Sequence, residues 1–262
     1  MRLAAGIDIG SITAKAAILK DGELLGTRVI FTGYNAEAAG CRVYEELLGE
    51  LGLSAGAIRG IVATGYGRKS VTFADKALTE IMCHAAGAHF LDPSVRSLID
   101  IGGQDSKVVV LDGNGRVVNF TMNDKCAAGT GRFLEVMARA LEADLDEFGA
   151  LSLKAGQPAP ISSLCTVFAE SEVISLIAKG ERRENIIAGI HAAIASRVSA
   201  MASRVGLAAR VMMTGGVARN VGVVRALEKA IGMAVLVSPH AQVTGAIGAA
   251  CLADRETGTQ RE

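Results

Sequence analysis

The sequence has no excess charge of either sign and no long hydrophobic run, and these absences narrow the possible functions. Its 27 Lys and Arg residues balance its 27 Asp and Glu residues, and without a basic cluster nucleic acid is a poor candidate ligand. No uninterrupted apolar run reaches the roughly 18 residues that a membrane span needs. The apolar start of the chain contains Asp8, which a signal peptide would not. We therefore expect a cytoplasmic protein with neither a membrane nor a nucleic-acid partner.

Cysteine and aromatic residues are also scarce. There are five Cys residues, an odd number with no Cys-x-x-Cys pair, and there is no Trp. This pattern argues against a disulfide framework or a zinc knuckle, and a cytoplasmic chain would keep its thiols reduced. Glycine, in contrast, is abundant at 31 residues, as expected where the backbone must approach phosphate groups closely.

Two common nucleotide-binding motifs are missing. The sequence contains no G-x-x-x-x-G-K-[ST] segment, so a Walker-type site is excluded. No G-x-G-x-x-G follows the first predicted strand, which removes the dinucleotide-binding fingerprint. A nucleotide site would have to be built from other glycine turns.

Two glycine turns with matching residue offsets provide such a site. They read IDIGSITAK, starting at Ile7, and IDIGGQDSK, starting at Ile99. At equal separations along the chain, the following residues correspond: Asp8 with Asp100, Gly10 with Gly102, and Lys15 with Lys107. One such turn would more often be an ordinary hairpin, but two with the same offsets predict a duplicated phosphate site.

The residue types in these turns suit nucleotide hydrolysis. Backbone N–H groups of glycine turns donate to phosphate oxygens, and the residues expected to do so are Gly10, Ser11, Ile12, Thr13, Gly102 and Gly103. Asp8 and Asp100 would repel phosphates unless a cation lay between them, which predicts Mg²⁺. Lys15 or Lys107 would neutralise phosphate charge. We also expect Gln104 to orient an attacking water, and Asp105 to reach the metal or polarise that water.

A third glycine turn, MTGGVARN from Met213 to Asn220, lies between a predicted strand and a predicted helix. A nucleoside could bind there, although the same pattern is typical of a plain strand–helix connection. The residues expected to contact the nucleoside are Gly215, Gly216, Val217 and Asn220. Gly129 and Gly131, in AAGTGRF, complete the predicted cofactor-binding set.

The strand–turn–strand opening occurs twice, which predicts an α/β fold with two lobes. The first series has predicted strands at 3–9, 13–19, 24–31 and 60–64 and helices at 36–51 and 75–90. The second has strands at 96–101, 106–111, 116–122, 210–213 and 235–237 and helices at 131–141, 166–178, 183–205, 221–230 and 245–253, with a frayed tail at 256–262. Lobe I is predicted to comprise 1–94 plus 242–262, and lobe II 95–241. The lobes should face each other across a nucleotide cleft, with a hinge near 92–96.

Two of the cysteines, Cys126 and Cys165, precede helix-like runs in polar surroundings (NDKC and SSLC). Helix N-termini favour thiolates, so both are candidate metal ligands. Cys41, Cys83 and Cys251 lie within helical segments and are expected to be small core residues. Two thiolates are too few for a four-iron cluster, but a symmetric dimer would supply four.

Seven segments together resemble one family: GIDIGSITAKAAILK, ATGYGR, IDIGGQDSK, NDKCAAGTGRFLEVMA, ISSLCTVFAESEVIS, IIAGIH and MTGGVARN. From about Ala5 to Ala250 they are similar to the activators, or archerases, of 2-hydroxyacyl-CoA dehydratases. The wider family includes the ATP-binding subunits of benzoyl-CoA reductases. The duplicated turns also resemble the superfamily of acetate and sugar kinases, heat-shock chaperone ATPases and actin, in which two ribonuclease H-like lobes surround ATP.

The resemblance implies an activity and a set of partners. It implies a homodimer that binds ATP or ADP with Mg²⁺ and holds one 4Fe–4S cluster through Cys126 and Cys165 of each chain. A ferredoxin or flavodoxin would donate electrons. ATP hydrolysis would then drive one low-potential electron onto a 2-hydroxyacyl-CoA dehydratase component, which uses it to form a ketyl radical that makes the β-proton acidic.

Other interpretations stay open at this stage. The partner could instead be a benzoyl-CoA reductase-like or double-cubane-cluster reductase. A small-molecule kinase of the same fold is less favoured because the chain shows no insertion for an acceptor pocket, and a non-enzymatic iron–sulfur or nucleotide sensor is the third option. Glu170 and Glu172 are expected to face the dipole of their helix, with a contact near the cluster or to a Mg²⁺-bound water as the alternative. His84 and His191 are expected to be structural or surface residues.

Overall fold

Each strand–turn–strand opening leads into its own mixed five-stranded sheet. The computed structural model describes residues 2–162 and 165–259. The strands are β1 Leu3–Ile9, β2 Thr13–Lys20, β3 Glu23–Phe31, β4 Gly60–Thr64, β5 Lys76–Ala77, β6 Ser97–Ile101, β7 Ser106–Leu111, β8 Val117–Asn123, β9 Val211–Thr214 and β10 Val235–Val237. The strand orders are β3-β2-β1-β4-β5 and β10-β9-β6-β7-β8, so each sheet combines an antiparallel hairpin with a parallel crossover.

Helices connect and cover these strands. They are α1 Ala36–Leu51, α2 Glu80–Leu91, α3 Gly131–Ala140, α4 Leu145–Ser152, α5 Thr166–Ala178, α6 Arg183–Val205, α7 Val221–Ile231 and α8 Thr244–Thr259. This α/β architecture is the predicted fold class. The residues group into two compact units: Met1–Val95, Leu111–Val118 and Gln242–Glu262 form the first, and Arg96–Val110 and Asn119–Ala241 the second. The turn Leu111–Val118 groups with the first unit, whereas the predicted lobe II included it.

The strand register repeats between the two sheets and sets the geometry of the site. In the first sheet, Asp8 lies opposite Lys15 on antiparallel β2 and opposite Thr64 on parallel β4. In the second sheet, Asp100 lies opposite Lys107 on β7 and Thr214 on β9. The duplication seen in the sequence is therefore also a duplication of strand pairing.

The core of the first unit is built from small and branched side chains. Ile7, Ile9 and Ile18 pack with the apolar face of α1, which includes Val43 and Leu47. This face follows from the helical spacing of the apolar residues. On α2 and α8, glycines at positions 87 and 248 let the two helix backbones lie in close contact.

The core of the second unit surrounds helix α6. By length and composition alone, α6 (Arg183–Val205) is one helix of the described chain that could cross a membrane. Its residues Ile186, Ile190 and Ile194 are buried in a core shared with β6, β9 and the helices around them. Burial in that core accounts for its apolar composition, because a helix covered on several sides needs few polar residues.

Two predicted helix boundaries were wrong, and one helix was missed. Helix α2 begins at Glu80 and not near residue 75, because Lys76–Ala77 pair with β4 and Thr79 caps the helix. Helix α4 was missed; Asp144 caps it, and its eight residues give a short periodic pattern. Helix α8 continues to Thr259, beyond its predicted end at residue 253, and residues 260–262 of the predicted tail lie outside the described residues.

Candidate functional site

The first phosphate turn connects β1 to β2 with Asp8 at its base. The Gly10 N–H donates to Thr13 O at 3.0 Å, and Lys15 Nζ lies 3.2 Å from Asp8 Oδ2. Thr32, the residue after β3, stabilises the turn because its hydroxyl donates to Gly10 O at 2.8 Å. Sequence reasoning missed Thr32, which carries no motif of its own.

The second turn has the same backbone bond and a different charge arrangement. Gly102 N–H donates to Asp105 O at 3.0 Å. Lys107 Nζ lies 2.7 Å from Asp105 Oδ1 and 3.3 Å from Asp100 Oδ2, and the Thr214 hydroxyl donates to Asp100 Oδ1 at 2.9 Å. Lys107 is therefore shared by two carboxylates, whereas Lys15 serves one.

This difference gives the two turns different net charges. Asp8 and Lys15 make a neutral pair, whereas Asp100, Asp105 and Lys107 together keep one negative charge. The Lys107 side chain is 1% exposed, so water screens its interactions with the two carboxylates poorly. The second turn is thus the better place for a cation, and its lysine is already engaged by carboxylates.

Both turns present backbone donors that are not used within the described chain. Among residues 2–162 and 165–259, the N–H groups of Ser11 and Ile12 have no acceptor, and the same is true of Gly103 and Gln104. Gln104 is exposed and the other three are half-buried. Unpaired N–H groups in a glycine turn suit phosphate oxygens.

The first residues of helix α3 donate backbone hydrogen bonds to the second turn. Gly131 N–H donates to Gly102 O, and Arg132 N–H donates to Gly103 O, both at 2.9 Å. The structure thus brings the predicted Gly131 to the turn, although its N–H is already used there. Gly129, with φ of 91°, has a backbone conformation that favours glycine.

The third glycine turn joins β9 to α7. Gly215 has φ of 86°, and its N–H donates to Ala241 O at 2.9 Å. Gly216 is exposed, but Val217 is buried in the core of the second unit. The Asn220 side chain caps α7 by accepting from Val223 N–H at 3.1 Å. Among these four predicted nucleoside contacts, Gly216 is the most accessible.

A buried histidine, His191, contacts Asn220 at the end of this third turn. Asn220 Nδ2 is 3.4 Å from His191 Nε2, and because Asn220 Oδ1 already accepts from Val223, the histidine nitrogen acts as the acceptor. Among the described residues His191 Nδ1 has no hydrogen-bond partner, and Phe148 packs edge-on against the ring, with 5.6 Å between the ring centroids. Burial lowers the pKa of His191 to about 3. His191 is structural, so its alternative prediction as a surface residue was wrong.

Stability should fall with acidification because of this histidine. The folded pKa is depressed, so the unfolded chain takes up a proton below about pH 6.5 while the folded chain does not. His191→Gln, which keeps an acceptor for Asn220, should remove this contribution. Between pH 7.5 and 5.5 the wild type should lose about 1.4 kcal/mol more unfolding free energy than the variant. Urea unfolding of both proteins at the two pH values measures this, and equal losses would contradict it.

The cysteines fall into two groups. Cys83 and Cys251 are buried, and burial raises the pKa of each thiol to about 12, in agreement with a core role; Cys41 is half-buried in α1. Cys165 is exposed and caps α5, as predicted. Cys126, however, is not at a helix start: it lies in the loop before Thr130, the residue that caps α3.

Hydrogen bonds hold the Cys126 loop in place. Asn123 Nδ2 donates to Cys126 O at 2.8 Å. The Thr130 hydroxyl and N–H both donate to Ala127 O, at 2.6 and 3.0 Å. This turn inserts residues between the cysteine and the helix and explains why the helix-start prediction was wrong for Cys126.

Glu172 has a role that the sequence did not reveal. Its carboxylate accepts from Ser162 N–H at 2.9 Å and from the Ser162 hydroxyl at 2.7 Å. Glu172 therefore connects the segment before Cys165 to helix α5 by hydrogen bonds. The predicted role, an interaction with the helix dipole, does not include this contact. Ser163, which follows Ser162, lies outside the described residues.

The comparison with known families is decisive. Residues 5–253 match the BadF/BadG/BcrA/BcrD ATPase family. The chain belongs to this family. As a BadF/BadG/BcrA/BcrD ATPase, it is 49% identical over 259 residues to a 2-hydroxyisocaproyl-CoA dehydratase activator from Clostridioides difficile, a match that covers 98% of this chain and 97% of the relative.

Solved structures of relatives share this fold, and one of them contains a bound nucleotide analogue. The solved structure of the activator of the 2-hydroxyisocaproyl-CoA dehydratase from Clostridium difficile, with bound ADPNP, matches with a TM-score of 0.94 at 47% identity. The match covers 99% of this chain and 97% of that one. The (R)-2-hydroxyglutaryl-CoA dehydratase component A of Acidaminococcus fermentans gives 0.95 at 47% identity, with 98% and 100% coverage.

More distant matches outline the wider relationships of this ATPase. A benzoyl-CoA reductase component of Thauera aromatica is 34% identical over 264 residues, which cover 95% of this chain and 92% of that component. A ROK family glucokinase from Streptomyces griseus has a TM-score of 0.63 at 14% identity, with 97% and 99% coverage, and shows the shared fold alone. The predicted family is confirmed, and the likeness to the glucokinase is one of fold.

Proposed function

We propose that this ATPase hydrolyses ATP to deliver a low-potential electron to a 2-hydroxyacyl-CoA dehydratase, as an activator of that enzyme. The observation that carries the proposal is the combination, in one chain, of two duplicated phosphate turns with two accessible cysteines on separate elements. Neither feature alone would distinguish an activator from a sugar kinase of the same fold.

Mg²⁺ would be placed by the second turn. Asp100 and Asp105 leave that turn with a net negative charge even after Lys107 is counted. Within the described residues no three His, Cys, Asp or Glu side chains form a group that could hold a metal. This fits Mg²⁺, which keeps several waters and takes one or two carboxylates together with substrate phosphates. Gln104, exposed beside Asp105, would orient the attacking water.

The cysteines fit an iron–sulfur cluster shared between two chains. Cys165 is exposed and Cys126 is half-buried, and in the part of the chain that the structure describes neither belongs to a group of three or more His, Cys, Asp or Glu side chains that could hold a metal. A cluster that takes four cysteines would be completed by the same pair from a second copy. When bound, a 4Fe–4S cluster would supply the one-electron chemistry that the dehydratase requires.

The surface of helix α5 supports the homodimer. This helix begins at Cys165 and exposes large apolar side chains: Val167, Phe168, Ile174 and Ile177. Exposed apolar groups on the helix that carries a shared ligand are expected where a second copy packs. We also propose a cytoplasmic location and a ferredoxin or flavodoxin as the electron donor.

ATP, and not ADP, should support reduction of the partner enzyme. The test combines reduced, anaerobically purified protein with a purified 2-hydroxyacyl-CoA dehydratase and either nucleotide. We expect ATP-dependent reduction of the dehydratase at least about tenfold faster than with ADP, because a nucleotide shifts a conformational equilibrium only through its different affinity for the two states. Holo-protein should contain about two irons per chain, which follows from a four-iron cluster shared by two chains.

Other outcomes would select the alternatives. Equal rates with ATP and ADP would contradict the proposal. ATP-dependent reduction of a benzoyl-CoA reductase-like or double-cubane-cluster reductase, without reduction of a dehydratase, would change the partner and keep the mechanism. A colourless, iron-free protein that phosphorylates a small molecule would indicate a kinase.

A further inference from the structure

The segment Ala63–Arg68 (ATGYGR) is the first unit's counterpart of the third glycine turn. Each follows a strand that runs parallel to the strand bearing the phosphate-turn aspartate, and register places Thr64 beside Asp8 just as it places Thr214 beside Asp100. The next residue is glycine in both cases, with φ of 89° at Gly65 and 86° at Gly215. The duplication therefore includes this second turn of each unit.

In both units this glycine lies directly against the phosphate-turn aspartate. A Cβ atom on Gly65 would lie 2.5 Å from Asp8 Oδ1, and one on Gly215 would lie 3.0 Å from Asp100 Oδ1. Each would also collide with the carbonyl group of the isoleucine that comes after the aspartate. The backbone at Gly65 therefore packs against the Asp8 carboxylate, so a side chain that contacts Gly65 lies near the first phosphate turn.

The two turns differ in the residues after the glycine. In the first unit, Arg68 folds back over the turn, and its Nη1 donates to Gly65 O at 3.1 Å. Arg68 is half-buried, and in the described chain no carboxylate pairs with it. The guanidinium keeps four further N–H donors. In contrast, Lys15 is paired with Asp8, and Lys107 with two carboxylates.

We propose that Arg68 is a further catalytic residue, which donates to the terminal phosphate of ATP and stabilises the charge that develops during hydrolysis. In that step a water oxygen forms a bond to the γ-phosphorus while the bond to the β,γ-bridging oxygen breaks. The electron pair leaves on ADP, and the water proton passes to the released phosphate. An arginine without a carboxylate partner suits the spread charge of this transition state. The inference rests on the proposed ATPase function.

The test compares Arg68→Gln with Arg68→Lys and with the control Lys69→Gln. Lys69 carries the same charge on the same short helical turn but is exposed. Steady-state hydrolysis gives kcat and KM, and calorimetry gives the affinities for ADP and ADPNP. Arg68→Gln should lower kcat about 100-fold or more and weaken ADPNP binding while leaving ADP affinity within about threefold. Arg68→Lys should recover part of the rate, and Lys69→Gln should match the wild type.

Two results would overturn the inference. If Arg68→Gln weakened ADP and ADPNP binding equally and lowered the melting temperature, Arg68 would only support the turn through Gly65. If Arg68→Gln had the same kcat and nucleotide affinities as Lys69→Gln, the charge of Arg68 would have no role in hydrolysis. These failures are distinct from failure of the proposed function, in which the wild type itself would not hydrolyse ATP.

Discussion

Replacing Cys165 by Ala should remove the iron from the purified protein, and replacing Cys126 should do the same. Cys165 is exposed at the start of α5, and Cys126 lies in a loop held by Asn123 and Thr130. If each chain contributes two of four cluster ligands, one substitution removes two ligands from the dimer. We expect iron to fall from about two per chain to less than about 0.2, because cluster assembly usually takes four cysteines.

The control for this experiment is Cys41→Ala. Cys41 is half-buried in α1 of the first unit, where a thiol behaves as a small apolar side chain. The iron content of the Cys41→Ala protein should equal that of the wild type. Iron and sulfide are measured after anaerobic purification, together with the visible spectrum. A full cluster in both the Cys126 and the Cys165 variants would show that the ligands lie elsewhere.

Asp100→Asn should abolish most ATP hydrolysis while the iron content stays unchanged. Asp100 is buried and holds two neighbours, Lys107 and Thr214. The amide removes the negative charge that we propose places Mg²⁺, so kcat should fall about 100-fold or more, which corresponds to about 2.7 kcal/mol of transition-state stabilisation. The iron should remain because Cys126 and Cys165 lie on other elements.

Asp146→Asn is the matched control for this change. Asp146 is exposed in the first turn of α4, in the same unit, and the substitution removes an equal charge far from both phosphate turns in sequence. It should leave kcat within about twofold of the wild type, as surface substitutions generally do. If Asp100→Asn lost its iron as well, hydrolysis and cluster binding would not be separable in the way that we propose.

The local sequence pattern predicted most of the helices and strands. It failed where the backbone conformation of a loop sets the start of a helix, and where a strand is very short. The β1–β2 and β6–β7 hairpins follow from apolar alternation around a glycine turn. The loop after Cys126 does not, because a glycine with positive φ at 129 and a cap at Thr130 delay the helix. Strand β5 has only two residues, too few to show any period.

Within the candidate site, the sequence indicated candidate residues but not the contacts between them. The matched offsets pointed to Asp100 and Lys107, but the bond from Thr214 to Asp100 joins residues 114 apart in the chain. Such a contact depends on strand pairing between distant segments, which no local pattern reports. The burial of His191 and the tie between Ser162 and Glu172 likewise depend on tertiary packing.

The two copies of the phosphate turn differ in charge because of one position. Two copies of the same turn would offer two equivalent places for a single metal ion. The first turn has Thr13 where the second has Asp105, although both accept the same backbone bond from the first turn glycine. This one divergence adds a carboxylate to the second copy alone and leaves the first copy neutral. If the second turn places Mg²⁺ as we propose, the divergence of the repeat, rather than the shared motif, selects the half that binds the metal.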